Sequence, residues 1–158
     1  MNTRKTIGLR RLALWAALCS ITIGGCAREK DRLDEEVRRL CAEDGGVKVY
    51  ETVVLAEEEY QKLLNRSGEL DIRDKKYAKP TDAFFQESTT TYLKKGNPEM
   101  WRSEYRLVRR SDGKVLATSV HYARRGGDLP GPWHDSSFSC PDTQANPRMA
   151  DLAIKKAN

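Results

Sequence analysis

The chain has 158 residues with 28 Lys and Arg against 23 Asp and Glu, a net charge of +5, which is room for one domain with a real core. Hydrophobic residues make up 39% and charged residues 32%, so most of the chain is well solvated and not embedded in lipid. Only two cysteines, Cys41 and Cys140, lie beyond the N-terminal 26 residues, and with two histidines they make a zinc site unattractive; no glycine-rich phosphate loop or Cys-x-x-Cys redox motif is present.

The first 11 residues carry Arg4, Lys5, Arg10 and Arg11 and no acid, and Leu12 to Ile23 is almost wholly apolar. A basic segment followed by about 12 apolar residues is the two-part pattern of a secretory signal and falls short of the roughly 20 residues of a membrane span. The run closes on Ile23-Gly24-Gly25-Cys26, an aliphatic residue, two small residues and a cysteine. It resembles a bacterial lipoprotein signal, whereas Cys19 follows Leu18 where a small residue is required. A plain secretory signal with a chance cysteine and a short uncleaved anchor are the alternatives; a twin-arginine signal at Arg10-Arg11 fits its surroundings poorly.

The resemblance implies that residues 1–25 are removed and that Cys26 carries a thioether-linked diacylglycerol and an amide-linked acyl chain. At about 0.8 kcal/mol per buried methylene, two or three chains hold a protein where one does not. Ala27 stands where an Asp signals inner-membrane retention, which favours the outer membrane, facing the periplasm. Cleavage takes four basic residues with it and leaves 24 against 23 acidic, so the mature charge is +1 and the basis for nucleic-acid binding disappears.

Cys41 and Cys140 remain, and in an oxidising compartment an intramolecular disulfide is the natural reading. Two buried free thiols and an intermolecular bond are the alternatives.

After a tether over 26–30, Leu33, Val37, Leu40 and Cys41 form one stripe of a helix over Asp31–Glu43 that ends at Asp44-Gly45-Gly46. Val47–Leu55 reads as one strand, and Ala56, Tyr60, Leu63 and Leu64 as a second helical stripe. Glu69–Thr81 reads as a loop with room for a short edge strand. Phe84–Lys94, Glu99–Arg110 and Lys114–Arg124 form a three-stranded meander with turns at Lys95–Pro98 and Asp112-Gly113. A two-residue turn at Asp112-Gly113 sets Tyr105 opposite Val120, Leu107 opposite Thr118 and Ser103 opposite Tyr122; four loop residues in the first turn set Tyr92 opposite Trp101.

One face then collects Phe84, Tyr92, Trp101, Tyr105, Leu107, Leu116, Val120 and Tyr122 as the core side. The other collects Glu87, Arg102, Glu104, Arg106 and His121 as a solvated side, with Glu87 facing Arg106 and Glu104 facing His121. Gly126–Pro141 has no periodicity. Asn146-Pro147 suits a helix start, and Met149, Leu152 and Ala153 suggest a short helix that frays near Lys155-Lys156. The expected fold is α+β: an antiparallel sheet of about four strands, an N-terminal helix, a second helix after the first strand and a short C-terminal helix.

Three sets of residues invite a chemical reading. His134-Asp135 lies beside Ser136, Ser137 and Ser139, as a hydrolase would need, but without a Gly-x-Ser-x-Gly elbow; serines in such a loop usually form turns. Glu87 and Glu104 are candidates for a carboxylate pair acting on glycans, against the simpler reading of cross-strand ion pairs. Trp133, framed by prolines and followed by His134, is either a lid over the core or an anchor for a protein or glycan partner.

The segments Arg39-Leu40-Cys41, Asp44 to Val53, Ser111 to Leu116 and Asp128 to His134 together resemble a group of small uncharacterised proteobacterial lipoproteins. That resemblance spans most of the mature chain and supplies no activity and no binding residues. The expected protein is a monomeric, lipid-anchored binding or accessory module of the cell envelope, without cofactor, whose partner is an envelope protein or a glycan. An enzyme of peptidoglycan or glycan, and an inhibitor or exclusion factor against a hydrolase or phage, are the other classes.

Overall fold

The computed structural model describes residues 29–128, 131, 134–142 and 148–157. Within them α1 covers 29–44, and its apolar stripe is used as the 3.6-residue period requires: Leu33 and Val37 are buried against Met100, Val120 and Tyr122, with Leu40 and Cys41 packed beside them.

The sheet that α1 covers is built on three long strands, β3 (Phe84–Lys94), β4 (Glu99–Arg109) and β5 (Val115–Arg125), paired antiparallel. The outer edge of β5 is shared end to end by β1 (Gly46–Val49), along Ala117–Val120, and β6 (Ser137–Cys140), along Tyr122–Arg125. The result is a five-stranded antiparallel sheet with helices packed on it, an α+β fold.

The first hairpin has the expected register, with Tyr92 opposite Trp101 and Glu87 opposite Arg106. The second does not. Arg109 and Lys114 close a four-residue loop, in which Gly113 takes a φ of +69° and the Asp112 carboxylate accepts the Lys114 N–H and the Arg109 guanidinium. A bulge at Leu116 follows, and beyond it Leu107 faces Ala117, Tyr105 faces Ser119 and Ser103 faces His121. The slip is a single residue, and because side chains alternate along a strand it moves the β5 residues beyond the bulge to the other face. Val120 and Tyr122 therefore lie under α1, and Glu104 faces Val120 instead of His121. His121 joins Trp101 and Tyr105 on the opposite face.

The segment expected as one strand over Val47–Leu55 is two. The carbonyl of Leu116 accepts both the Tyr50 and Glu51 N–H groups, which turns the chain out of the main sheet. β2 (Val53–Leu55) then pairs in parallel with β7 (Ile154–Lys156). The Lys155-Lys156 end is thus a strand and not a fraying helix.

α2 (Glu57–Gln61) is short, its Glu57 bonded to Gln61 and paired with Lys156. The 69–81 loop touches β3 by one bridge, Asp74 to Gln86. α3 (Met149–Ala153) buries Met149, Ala150 and Ala153. With Leu70, Phe84, Leu107, Leu116, Ala117 and Ile154 they form the core on the sheet face away from α1. Asn146-Pro147 lies outside the described residues.

Among the long-range ties that fasten α1, one is covalent and one is a buried ion pair. Cys41 and Cys140 form a disulfide, which joins its last turn to β6. Gly45 packs so closely there that a Cβ on it would stand 2.6 Å from the Cys41 carbonyl oxygen and 2.7 Å from its Sγ, so no side chain fits. At the other end Arg124, 1% exposed, makes a two-bond pair with Asp34 at 2.7 and 2.9 Å.

Candidate functional site

The residues singled out from sequence do not converge. Cys26 and Trp133 lie outside the described residues. His134 is exposed, and its neighbour Asp135 pairs with Arg125 at 3.7 Å. Ser136 is a structural residue. Its N–H and hydroxyl bond the Asp128 carboxylate, and its carbonyl and hydroxyl oxygens accept from Arg124. Ser137 and Ser139 alternate with Phe138 along β6.

Glu87 lies between Lys75 and Arg106, whose positive charges hold its carboxyl below the usual range. A carboxylate so stabilised is a poor proton donor. Glu104 is bonded to Arg102 at 2.6 Å. Arg102 also reaches Asp44 at 3.2 Å, where the Tyr122 hydroxyl donates at 2.6 Å and lowers the Asp44 pKa. All lie on the α1 side of the sheet: Glu87 and Arg106 form the expected cross-strand pair, whereas Glu104 is paired along its own strand with Arg102.

A different group of residues forms a site. On the sheet face away from α1, the apolar core fills the half around Leu107 and Ala117 and stops near Tyr105. Beyond it lies a cavity of about 500 Å³. Its floor is strand: Trp101, Ser103 and Tyr105 from β4, and Ser119, His121 and Ala123 from β5. Leu70 and Ile72 wall one side; Arg148, Met149 and Ala150 wall another. Such a volume lies in the range of small-molecule sites, about 300–1,000 Å³, and a mostly apolar lining with a few aimed polar groups is their usual make-up.

The polar groups sit at the centre of the floor. Ser103 and Ser119 are buried, and the Ser119 hydroxyl lies 2.9 Å from His121 Nε2. The Tyr105 ring meets the imidazole edge-on at 5.9 Å, and Tyr92 lies 6.3 Å from Trp101 at the open end. Burial depresses the His121 pKa, against the Pro141 carbonyl, which favours the protonated ring from a position short of hydrogen-bonding geometry. The ring is therefore neutral at pH 7, with Nδ1 buried and without a hydrogen-bond partner among the described residues. A neutral imidazole with no acid on Nδ1 lacks the third member of a Ser-His-acid arrangement. Its evident capacity is to donate or accept a hydrogen bond beside two hydroxyls and two aromatic rings.

Sequence reasoning missed Ser103, Ser119 and His121 because the slipped register placed His121 on the charged face. The signal that would have found them is the alternation in Ser119-Val120-His121-Tyr122-Ala123, read with its two apolar members under a helix. No family model, curated protein or solved structure matches the chain.

Proposed function

We propose that the chain is an exported lipoprotein, anchored through Cys26 and facing the periplasm, whose domain is a non-enzymatic binding module that takes a small, neutral, partly aromatic or apolar ligand in the cavity over β4 and β5. The observation that carries this reading is the cavity itself: about 500 Å³, floored by Trp101 and Tyr105 around the hydroxyls of Ser103 and Ser119 and the neutral His121. Neutrality of the floor disfavours a charged group at its centre, while aromatic faces and hydroxyls suit a ring or a sugar-like surface. The Cys41–Cys140 disulfide is in keeping with an oxidising compartment.

Two experiments test the two parts separately. For binding, titration of the unlipidated Cys26→Ser chain with the neutral probe N-phenyl-1-naphthylamine is expected to give saturable fluorescence enhancement at one site. Ala123→Phe, which places a ring on the cavity floor, is expected to reduce the affinity at least tenfold with the melting temperature little changed. Equal enhancement in both proteins sinks the assignment of the cavity. For the anchor, Cys26→Ser is expected to abolish labelling by radioactive palmitate and to move the protein from membranes to the soluble periplasmic fraction. Labelling that persists refutes Cys26 as the lipidated residue.

A further inference from the structure

The outer edge of β3 carries an arrangement that neither the cavity nor the anchor uses. Gln86 donates its N–H to the Arg73 carbonyl at 2.8 Å and accepts the Lys75 N–H on its own carbonyl at 2.7 Å. Its backbone groups thus point away from β4. Peptide groups alternate in direction along an antiparallel strand, so Ser88, Thr90 and Tyr92 also turn their N–H and C=O groups outward. Among the described residues no strand pairs with them.

An unpaired edge is normally blunted by charge, proline or a bulge. Here the bulge at Leu93 and the charge of Lys94 come only after the run Ser88-Thr89-Thr90-Thr91-Tyr92, which is exposed throughout and has high strand propensity.

We propose that this run pairs antiparallel with the same run of a second copy of the chain, about a two-fold axis through Thr90. The occupant follows from the symmetry of the edge. Two outward residues flank Thr90 at equal distances, so Thr90 exchanges both backbone hydrogen bonds with its own copy, and Ser88 exchanges both with Tyr92 of the copy. Opposite side chains share a face in this register: Thr90 with Thr90, Thr89 with Thr91, and the Ser88 hydroxyl beside the Tyr92 ring.

Charge selects the same register. Because of the bulge at Leu93, Lys94 falls opposite Glu87 of the copy, a pair that displacement either way separates. The Arg73–Lys75 segment occupies the edge at Gln86 and ends the pairing there. The axis stands perpendicular to the sheet, so both α1 helices lie on one face of the doubled sheet and both cavities open on the other. Pairing depends on neither the lipid nor the cavity ligand.

The test uses the full-length chain in its host membrane under mild copper–phenanthroline oxidation. An antiparallel hydrogen-bonded pair sets Cα atoms about 5.5 Å apart, inside the range of about 4.4–6.8 Å that a disulfide bridges. Thr90→Cys is therefore expected to give a covalent homodimer in at least fivefold greater yield than Tyr77→Cys, a control residue 69% exposed and outside the run. Co-expressed Ser88→Cys and Tyr92→Cys chains are expected to crosslink to each other, and Ser88→Cys alone is not. Adding Thr90→Pro to both chains removes an outward N–H without costing β4 a bond, and should abolish the crosslink while the melting curve persists. Thr90→Cys yields no greater than the control, crosslinking of Ser88→Cys alone to the same extent, or an adduct to a different protein each overturns the proposal.

Discussion

Replacing Arg124 by Met is expected to lower the stability of the domain by about 3–5 kcal/mol, the usual cost of removing one partner of a buried ion pair. For a domain of this size that lowers the melting temperature on the order of 10–20 °C. The guanidinium is 1% exposed and serves three parts of the chain at once. It pairs with Asp34 on α1 through two bonds, and its Nη1 donates to the Gly126 carbonyl at 2.9 Å, the Ser136 carbonyl at 3.0 Å and the Ser136 hydroxyl at 2.9 Å. Asp128 closes the same knot by accepting from Ser136 and pairing with Lys30 at 2.7 Å.

Methionine matches much of the arginine's volume but offers no donor, so two carbonyls and a carboxylate lose their partner. Asp34→Asn keeps the shape and the arginine's carbonyl bonds, and should cost less than half as much. The double variant Arg124→Met, Asp34→Leu removes both charges. It should remain well below wild type, because the Gly126 and Ser136 carbonyls are still left without a donor. Urea denaturation of the four proteins decides this: a double variant as stable as wild type means that the carbonyl bonds contribute nothing.

The same knot shows why part of this structure was legible in sequence and part was not. α1 could be read from Leu33, Val37, Leu40 and Cys41 because the helical period is local and its buried stripe is unbroken. The three long strands could be read for the same kind of reason; the first hairpin closes with Lys94 opposite Met100 and not Glu99, and the bulge at Leu93 brings the rest into the expected register. The second hairpin failed at one detail. Asp112-Gly113 has the composition of a two-residue turn, but the Asp112 carboxylate bonds Arg109 and Lys114 across a loop of four, and the Leu116 bulge does not restore the expected register.

From that single residue followed the wrong face for His121 and Ser119, and with it the loss of the cavity. β2 was missed as a separate strand because its partner β7 lies about a hundred residues away and pairs in parallel, which no local pattern announces. Arg124 ends the expected third strand, and no local pattern points to its partner Asp34, 90 positions distant.

Removing the Cys41–Cys140 bridge by the double substitution Cys41→Ala, Cys140→Ala is expected to cost about 2–5 kcal/mol. The closed loop spans 99 positions, and the chain-entropy argument for a loop of that length gives about 4–5 kcal/mol as an upper value. The loss should not be spread evenly. The C-terminal turn of α1 has other holds on the sheet: Asp44 accepts from Tyr122 at 2.6 Å and pairs with Arg102 at 3.2 Å, and Val37 is fully buried. β6 is held by four ladder pairs with Tyr122–Arg125 and by the contact of Phe138 with the Arg38 guanidinium, 4.5 Å from the ring centre.

β6 is therefore the element the bridge chiefly secures, and amide hydrogen exchange in the double variant should show its protection falling first while β3, β4 and β5 retain theirs. Because Ser139 lines the cavity, probe binding should weaken in parallel with β6 exchange. Loss of protection in α1 and β6 together would mean that the disulfide, and not Asp44, holds the end of the helix. Unchanged stability on oxidised and substituted protein alike would remove the bridge from the forces that hold this fold.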